Sequence, residues 1–302
     1  MMGASQKGEN VPSAKPTSII DLHTHVIAPD QAAYPLAPLA GKQSDWSRER
    51  PVARDGMLAA MDEAGIAQAA LVQASTCYGH DNRYVADSAA ARPDRFIGVY
   101  SIGLTAPDAV ERIDHWHGLG LHGMRVFIAG HTAADQGARL DDPLGFPAWE
   151  RAQELDIPVC VQLRAPGLPQ LENILERFPG VRVLLDHFAR PPVEDGAPYA
   201  AAESLFRLAR HSRLFFKLTT HNVRESKLGR ATQASFMRKV VDTFGASRIA
   251  WGSNFPASAG SLAALLQEAL DATASLSAEE REWIFHRTAR AIYPALGDGG
   301  RA

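Results

Sequence analysis

Short apolar runs alternate with longer amphipathic stretches along most of the chain. The runs are nearly continuous in Val, Ile, Leu and Phe, which is typical of strands that are covered on both faces in a parallel sheet. Eight runs predict strands, over 18–23, 68–73, 96–101, 123–127, 158–163, 182–187, 214–218 and 248–252. The pattern therefore predicts an α/β protein built on a parallel sheet.

The stretches between the runs predict helices over 55–64, 81–91, 108–118, 146–155, 168–178, 199–210, 233–244 and 262–272, followed by a last helix over 278–293. Gly65 is a suitable C-cap and Ser277 a suitable N-cap. Eight strand–helix units favour a single-domain (β/α)₈ TIM barrel, which typically takes about 250 residues. An open doubly wound sheet is the alternative, but no glycine-rich fingerprint follows the first strand.

The barrel is expected to span 18–296, between a flexible tail over 1–17 and a short tail over 297–302. The first tail is polar and lacks the apolar core of a signal peptide. No run of about 18 apolar residues occurs that could cross a membrane. These features predict a cytoplasmic protein.

A long segment over 26–51 separates the first strand from its helix and carries Tyr34 and Trp46. Loops of this length in compact domains are usually functional. On a barrel the segment would emerge at the catalytic end, so it predicts a lid or a pocket wall.

Three histidines are placed to meet at one end of the barrel. His23 and His25 are two positions apart at the end of the first strand, so their side chains point to the same side. His187 ends the sixth run and is followed by two prolines. Active sites of TIM barrels lie at the carboxyl ends of the strands. By the same alternation, Asp186 is expected to face the helices in a structural role.

Motifs along the chain resemble the amidohydrolase superfamily, and in particular its branch of 2-pyrone-4,6-dicarboxylate lactonases and sugar-acid lactonases. The matching segments are IDLHTH at 20–25, VQAS at 72–75, DNR at 81–83, HGMR at 122–125, LDHFARP at 185–191, WGSNFP at 251–256 and TAR at 288–290. The resemblance spans about residues 18 to 294, with the motifs in barrel order. It implies hydrolysis of a small carboxylated lactone, with a site histidine at His187.

Cations near the strand ends are candidates for binding the substrate carboxylate. Arg125 lies inside an apolar strand, where an unpaired guanidinium would be costly. Arg190 follows the His187 strand, and Lys217 lies within the seventh run. An ion pair with a barrel carboxylate is the structural alternative for each of them. The remaining candidates for substrate binding are Tyr34, Ser75 and Gln162.

Asn254 is the main departure from the family pattern, which has Asp at this position. An amide cannot accept a proton at neutral pH. Either another base acts, such as His187, His221 or a metal-bound hydroxide, or the reaction differs, or the barrel only binds a ligand. A decarboxylase of a small aromatic or muconate-type acid and a non-catalytic binding barrel are therefore kept as alternatives. His80, His131 and His221 all follow strands, and His221 is the strongest candidate of these. The predicted catalytic set is His23, His25, His187, His221 and Asn254. The histidines and arginines at the barrel mouth, with or without one divalent metal, are expected to polarise the substrate carbonyl.

A metal ion is an open question at this stage. His23, His25 and His187 could form a three-histidine site for one divalent ion, Zn or Mn, with an open position. The resemblance also includes lactonases that work without metal. Both readings are kept.

Composition points to a small-molecule partner. The formal net charge is −3 and the isoelectric point is near 6.4, which gives no electrostatic reason to expect nucleic acid or an anionic membrane. The two cysteines, Cys77 and Cys160, are too few for a disulfide framework. Assembly into a homo-oligomer is left open.

Overall fold

The structure is a computed structural model that describes residues 16, 18–39, 41–128 and 139–297. Nearly all of both predicted tails lies outside the described residues, as does His131. Among the described helices, none combines the length and the apolar character needed to span a membrane.

Eight parallel strands form one sheet in chain order, and the sheet curves into a nearly closed barrel. The first and last strands meet through a parallel bridge between Thr24 and Phe255 and through the amide of Asn254, which donates to the carbonyl of His23 at 2.8 Å. The strands are β1 (Ile20–Thr24), β2 (Gln68–Val72), β3 (Phe96–Ser101), β4 (Gly123–Phe127), β5 (Val159–Gln162), β6 (Val183–Leu185), β7 (Leu214–Thr219) and β8 (Ile249–Gly252). The predicted TIM barrel is confirmed.

Helices follow the strands. They are α1 (Asp45–Glu49), α2 (Arg54–Ala64), α3 (Ser75–Tyr78), α4 (Arg83–Ala91), α5 (Ala109–Gly118), α6 (Phe146–Glu154), α7 (Leu168–Arg177), α8 (Glu203–Phe206), α9 (Thr220–Glu225), α10 (Gln233–Phe244), α11 (Leu262–Ala272), α12 (Ala278–Glu282) and α13 (Thr288–Ile292). Gly65 ends α2 in the left-handed conformation and Ser277 caps α12, as predicted. The predicted helix over 278–293 is interrupted by a π-helical turn, Trp283–Arg287, and the one over 199–210 is broken into short 3₁₀ and α-helical turns.

The amino end of the barrel is filled, so the site can open only at the other end. Tyr293, just after α13, is buried with the inward-facing residues of the strands. Gly123, at the start of β4, makes room for it, since a Cβ there would lie 2.7 Å from the Tyr293 hydroxyl. The larger core cluster includes helix residues such as Leu171 on α7 and Phe236 on α10, together with strand residues such as Val183.

Candidate active site

A cavity of about 240 Å³ lies at the carboxyl ends of the strands. It brings together eight of the residues predicted from the sequence, namely His25, Ser75, Arg125, Gln162, His187, Arg190, His221 and Asn254. Trp46, on α1 within the long segment 26–51, forms part of its wall, with its ring 5.4 Å from that of His25. The segment thus contributes a wall, as expected.

The imidazoles from the first and sixth strands meet at this end. The ring of His23 lies 4.9 Å from that of His25 and 5.1 Å from that of His187. The ring of His221, which lies on α9 after β7, is 5.1 Å from that of His187. His23 is fully buried behind the other two and does not line the cavity.

Hydrogen bonds fix the proton positions on His25 and His187, two of the histidines that line the cavity. His25 Nδ1 lies 2.8 Å from the carbonyl oxygen of Val72, which can only accept, so Nδ1 carries the proton. His187 Nδ1 lies 2.8 Å from the hydroxyl of Thr219. That hydroxyl donates to Asn222 Oδ1, so it accepts from His187. Both rings therefore keep their Nε2 lone pairs free.

The amide of Asn222 is itself oriented by the backbone. Its Nδ2 donates to the carbonyl of His187 at 2.8 Å, and its Oδ1 accepts from the amide of Thr219 at 3.1 Å. Only one orientation of the amide satisfies both of these hydrogen bonds. A chain of three residues thus sets the tautomer of His187.

Burial keeps these imidazoles neutral. Desolvation lowers the pKa of His25 and of His187 well below the usual value for histidine. Burial also lowers the pKa of His23 to about 4, although Asp186 opposes the shift. The pKa of His221 falls to about 4, through burial and then through the nearby Arg190 and Arg164. At neutral pH all four side chains are proton acceptors in their neutral form.

The expectation that Asp186 faces the helices is wrong. Asp186 is fully buried and lies 3.1 Å from the ammonium of Lys217 and 3.5 Å from the guanidinium of Arg125. Leu184 faces the barrel interior and Leu185 packs with the helices, so Asp186 continues the alternation of β6 to the inside. The prediction took His187 as the inward position, but the strand ends at Leu185 and His187 departs from the alternation. The chain then takes a left-handed turn over His187–Arg190, with φ between 48° and 58°, although none of its residues is glycine. Such a conformation costs about 1–2 kcal/mol per residue.

Two predicted substrate-binding residues do not line the cavity. Lys217 is fully buried, where its ammonium contacts Asp186, donates to Cys160 Sγ and lies 3.2 Å from His23 Nδ1. Burial works against its charge, but Asp186 and Cys160 together outweigh burial and raise the pKa of Lys217. Tyr34 donates its hydroxyl proton to Asp87 at 2.6 Å, outside the cavity. Both have structural partners instead.

The arginines at the cavity differ in how far they are neutralised. Arg125 donates to the Gln73 carbonyl at 2.8 Å and to Gln162 Oε1 at 3.1 Å, besides its contact with Asp186. Arg190 pairs with Glu225. Arg164, which follows β5, also lines the cavity and was not predicted. Its position two residues after Gln162 is the signal that could have identified it, since alternate residues share a side.

Asn254 and Asp21 hold the junction of β8 and β1. Asn254 has a φ of 59°, and its Nδ2 donates to the hydroxyl of Ser258 at 3.1 Å. Asp21 Oδ1 accepts from the amides of His23 and Ser253 at 3.0 and 2.9 Å. Burial raises the pKa of Asp21 to about 6. Asp21 thus fixes the position of the first histidine.

Comparison with known proteins agrees with this architecture. Residues 20–295 match the family model described as amidohydrolase. The chain belongs to the amidohydrolase family. This confirms the resemblance seen in the motifs, and it makes the chain a member of a family of enzymes.

Individual relatives of this amidohydrolase include both lactone hydrolases and a decarboxylase. L-fucono-1,5-lactonase from Burkholderia ambifaria is 33% identical over 122 residues, which cover 39% of this chain and 41% of that lactonase. The crystal structure of a proposed 2-pyrone-4,6-dicarboxylic acid hydrolase from Pseudomonas putida has a TM-score of 0.75 at 21% identity, covering 93% of this chain and 99% of that one. For 2,6-dihydroxybenzoate decarboxylase from Rhizobium the TM-score is 0.67 at 17% identity, covering 93% and 99%. At these identities the two structures show a shared fold.

Amidohydrolases typically bind a divalent metal, and this chain has a donor set of the right type. His23, Asp186 and His187 each offer a ligand atom, all within 4.8 Å of one another. This set has Asp186 where the sequence predicted His25. His23 Nε2 is buried without a hydrogen-bond partner, and the tautomer of His187 leaves its Nε2 free. The set fits one divalent ion, but the ammonium of Lys217 lies against both His23 Nδ1 and Asp186. Because an ammonium only donates, it favours the tautomer of His23 with the proton on Nε2, which the ion would have to displace, so the ion would be held weakly.

Proposed function

We propose that this amidohydrolase hydrolyses a small carboxylated lactone or a related cyclic ester. The observation that carries the proposal is the pairing, in one cavity, of two free imidazole lone pairs on His25 and His187 with the guanidinium of Arg125. Addition of water to an ester carbonyl needs a proton acceptor and a positive charge facing the developing oxyanion. The partial match to a lactonase supports the same reaction class.

Arg125 is the proposed electrophilic group. Its Nη atoms are held by Gln73, Gln162 and Asp186, while its Nε has no partner among the described residues. A guanidinium fixed in this way needs little reorganisation as negative charge builds up on the carbonyl oxygen. His25 and His187, which the sequence suggested would polarise the carbonyl, are better suited to accept a proton, because their Nε2 atoms carry lone pairs.

His187 is the proposed general base. Its Nε2 would take a proton from the attacking water while Thr219 keeps Nδ1–H in place. As the bond between the acyl carbon and the ring oxygen breaks, Nε2 would return this proton to the ring oxygen, which becomes the hydroxyl of the product. His221 is the second candidate, since its ring adjoins that of His187. Asn254 cannot take the proton, but its Oδ1 has no partner among the described residues and can accept a hydrogen bond from the water.

A divalent ion held by His23, Asp186 and His187 would, when bound, act as a Lewis acid toward the carbonyl oxygen. Such an ion would occupy the Nε2 lone pair of His187, so with the ion bound the proton acceptor would be His221, and without it His187 takes that role. We also propose, from the sequence, a small-molecule partner with neither nucleic acid nor membrane involved, and a cytoplasmic location; a homo-oligomer stays open.

Decarboxylation of a small aromatic acid is the second candidate. The replacement of the family aspartate by Asn254 favours it, because a carboxylate base is missing from the position where family hydrolases have one. A non-catalytic binding barrel is the third.

A panel of four compounds separates the three functions. It comprises the lactone of 2-hydroxyglutarate, coumalate, the neutral L-fucono-1,5-lactone and 2,6-dihydroxybenzoate, each followed by NMR with and without zinc or manganese. We expect ring opening of the carboxylated lactones by the wild type and a loss of roughly 10²–10⁴-fold in His187→Asn. His122→Asn is the matched control, because His122 is exposed and does not line the cavity.

Two other outcomes would identify the alternative functions. Release of carbon dioxide from 2,6-dihydroxybenzoate without ring opening of any lactone would establish the lyase. Thermal stabilisation by these compounds without turnover would establish a binding protein.

A further inference from the structure

The cavity continues into a second depression at its rim. A groove of about 610 Å³ is lined by Arg164, Pro166, Arg190, Pro191, Glu225 and Leu228, among others. Arg164 and Arg190 line both spaces, so the two guanidinium groups stand at the junction between the cavity and the groove. A ligand that fills the cavity would reach this junction with its outer end.

The charges at the cavity are unequally balanced. Arg125 is engaged by Asp186, and Arg190 is engaged by Glu225. The guanidinium of Arg164 has neither a hydrogen bond nor an ion pair with any of the described residues. Of the three arginines that line the cavity, it is the one whose donors are all available to a ligand.

The junction therefore presents an unpaired positive charge. The groove has two carboxylates, but that of Glu225 pairs with Arg190 and that of Glu194 accepts from the amide of Val193, so neither forms an ion pair with Arg164. Partial burial lowers the pKa of Arg164, and the nearby Arg190 adds to the shift, which reflects the mutual repulsion of the two cations. An incoming anion relieves that repulsion, and a guanidinium can bind a carboxylate with two parallel hydrogen bonds.

We propose that Arg164 binds the substrate's carboxylate at the junction of cavity and groove. The inference rests on the proposed function and deepens it. The substrate is an anionic lactone whose carboxylate lies at the end remote from His25 and His187, and Arg164, rather than Arg125 or Arg190, selects it over a neutral lactone.

Binding of simple carboxylates tests this without turnover. The probes are furan-2-carboxylate, benzoate and glutarate, each compared with its amide by calorimetry at low salt. The proteins are the wild type, Arg164→Gln, Arg164→Lys and Arg207→Gln. Arg207 is a matched control, since it is exposed, has no ion pair among the described residues and lies away from the cavity. Arg164 is exposed as well, so neither change should disturb the fold, which thermal unfolding checks.

We expect at least one carboxylate to bind the wild type and to bind Arg164→Gln roughly tenfold more weakly, as for the loss of one charge-assisted hydrogen bond. Arg164→Lys should retain part of the affinity, and Arg207→Gln should retain all of it. The amides should bind the wild type and Arg164→Gln equally. The proposal is overturned if none of the three carboxylates binds, if Arg207→Gln weakens binding as much, or if the amides show the same loss.

The test also separates this inference from the proposed function. If lactones are not hydrolysed but carboxylate binding depends on Arg164, the reaction is wrong and the anion site stands. If a lactone is hydrolysed by the wild type and by Arg164→Gln with the same KM, the reaction stands and the anion site is wrong.

Discussion

Replacing Thr219 with Val tests whether the proton position on His187 matters for catalysis. Valine has nearly the shape of threonine and suits the strand position at the end of β7, but it cannot accept the hydrogen bond from His187 Nδ1. An unpaired buried donor costs about 1–3 kcal/mol. The Nδ1–H tautomer should lose about this much relative to the Nε2–H tautomer, whose proton can face the cavity. At about 1.4 kcal/mol per factor of ten, the fraction of competent base falls roughly 5- to 150-fold.

Thr220→Val is the matched control. Thr220 is also buried, and its hydroxyl donates to the Ser253 carbonyl at 2.7 Å, without contact to a histidine. Both variants should lose a similar free energy of unfolding in urea, about 1–3 kcal/mol. Only Thr219→Val should lose kcat/KM on the lactone, and ¹⁵N NMR should show its His187 in the other tautomer. Equal kcat/KM for the two variants, or an unchanged tautomer in Thr219→Val, would refute the reasoning.

Three further predictions concern the buried charges. Burial lowers the pKa of His23 and of His221 from 6.5 to about 4, so at each of them the unfolded chain binds more protons between these values, and each contributes a fall of about 3 kcal/mol in the free energy of unfolding as pH drops from 6.5 to 4. Asp21 contributes with the opposite sign, because its pKa is raised to about 6, so the net free energy of unfolding should fall, and urea titrations showing no fall would contradict this. Lys217→Met should bind zinc more tightly than the wild type in calorimetry, because the ammonium no longer competes at His23 and Asp186; equal affinity would count against the competition. Asp186→Asn should destabilise the fold by about 3–5 kcal/mol, because it leaves Lys217 and Arg125 buried without a carboxylate. The double variant Asp186→Leu with Lys217→Met should lose less free energy of unfolding, and an equally unstable double variant would argue against charge as the cause.

Local periodicity was sufficient to predict the architecture. The apolar runs identify the eight strands because both faces of a barrel strand are covered. The two-residue spacing of His23 and His25 places both rings at one end because side chains alternate. These are properties of a few neighbouring residues, so one sequence contains them.

What the sequence did not predict depends on backbone geometry and on distant partners. Asp186 and His187 both reach the site because the left-handed turn that begins at His187 breaks the alternation of β6, and none of the residues in that turn is a glycine that would have signalled it. Lys217 was expected at the cavity, but its partner Asp186 lies on a different strand–helix unit and holds the ammonium below it. The role of Arg164 could not be predicted, because it depends on the ion pairs that Arg125 and Arg190 form with distant carboxylates.

The central claim is that this cavity adds water to the carbonyl carbon of a cyclic ester, with His187 accepting the proton. Turnover of the fastest lactone of the panel in ¹⁸O-labelled water, followed by mass spectrometry of the product, tests it most directly. We predict one labelled oxygen per product, located in the new carboxylate, and a rate that collapses in His187→Asn. A label on the hydroxyl side of the product, a rate unaffected in His187→Asn, or no product from any lactone would contradict the account.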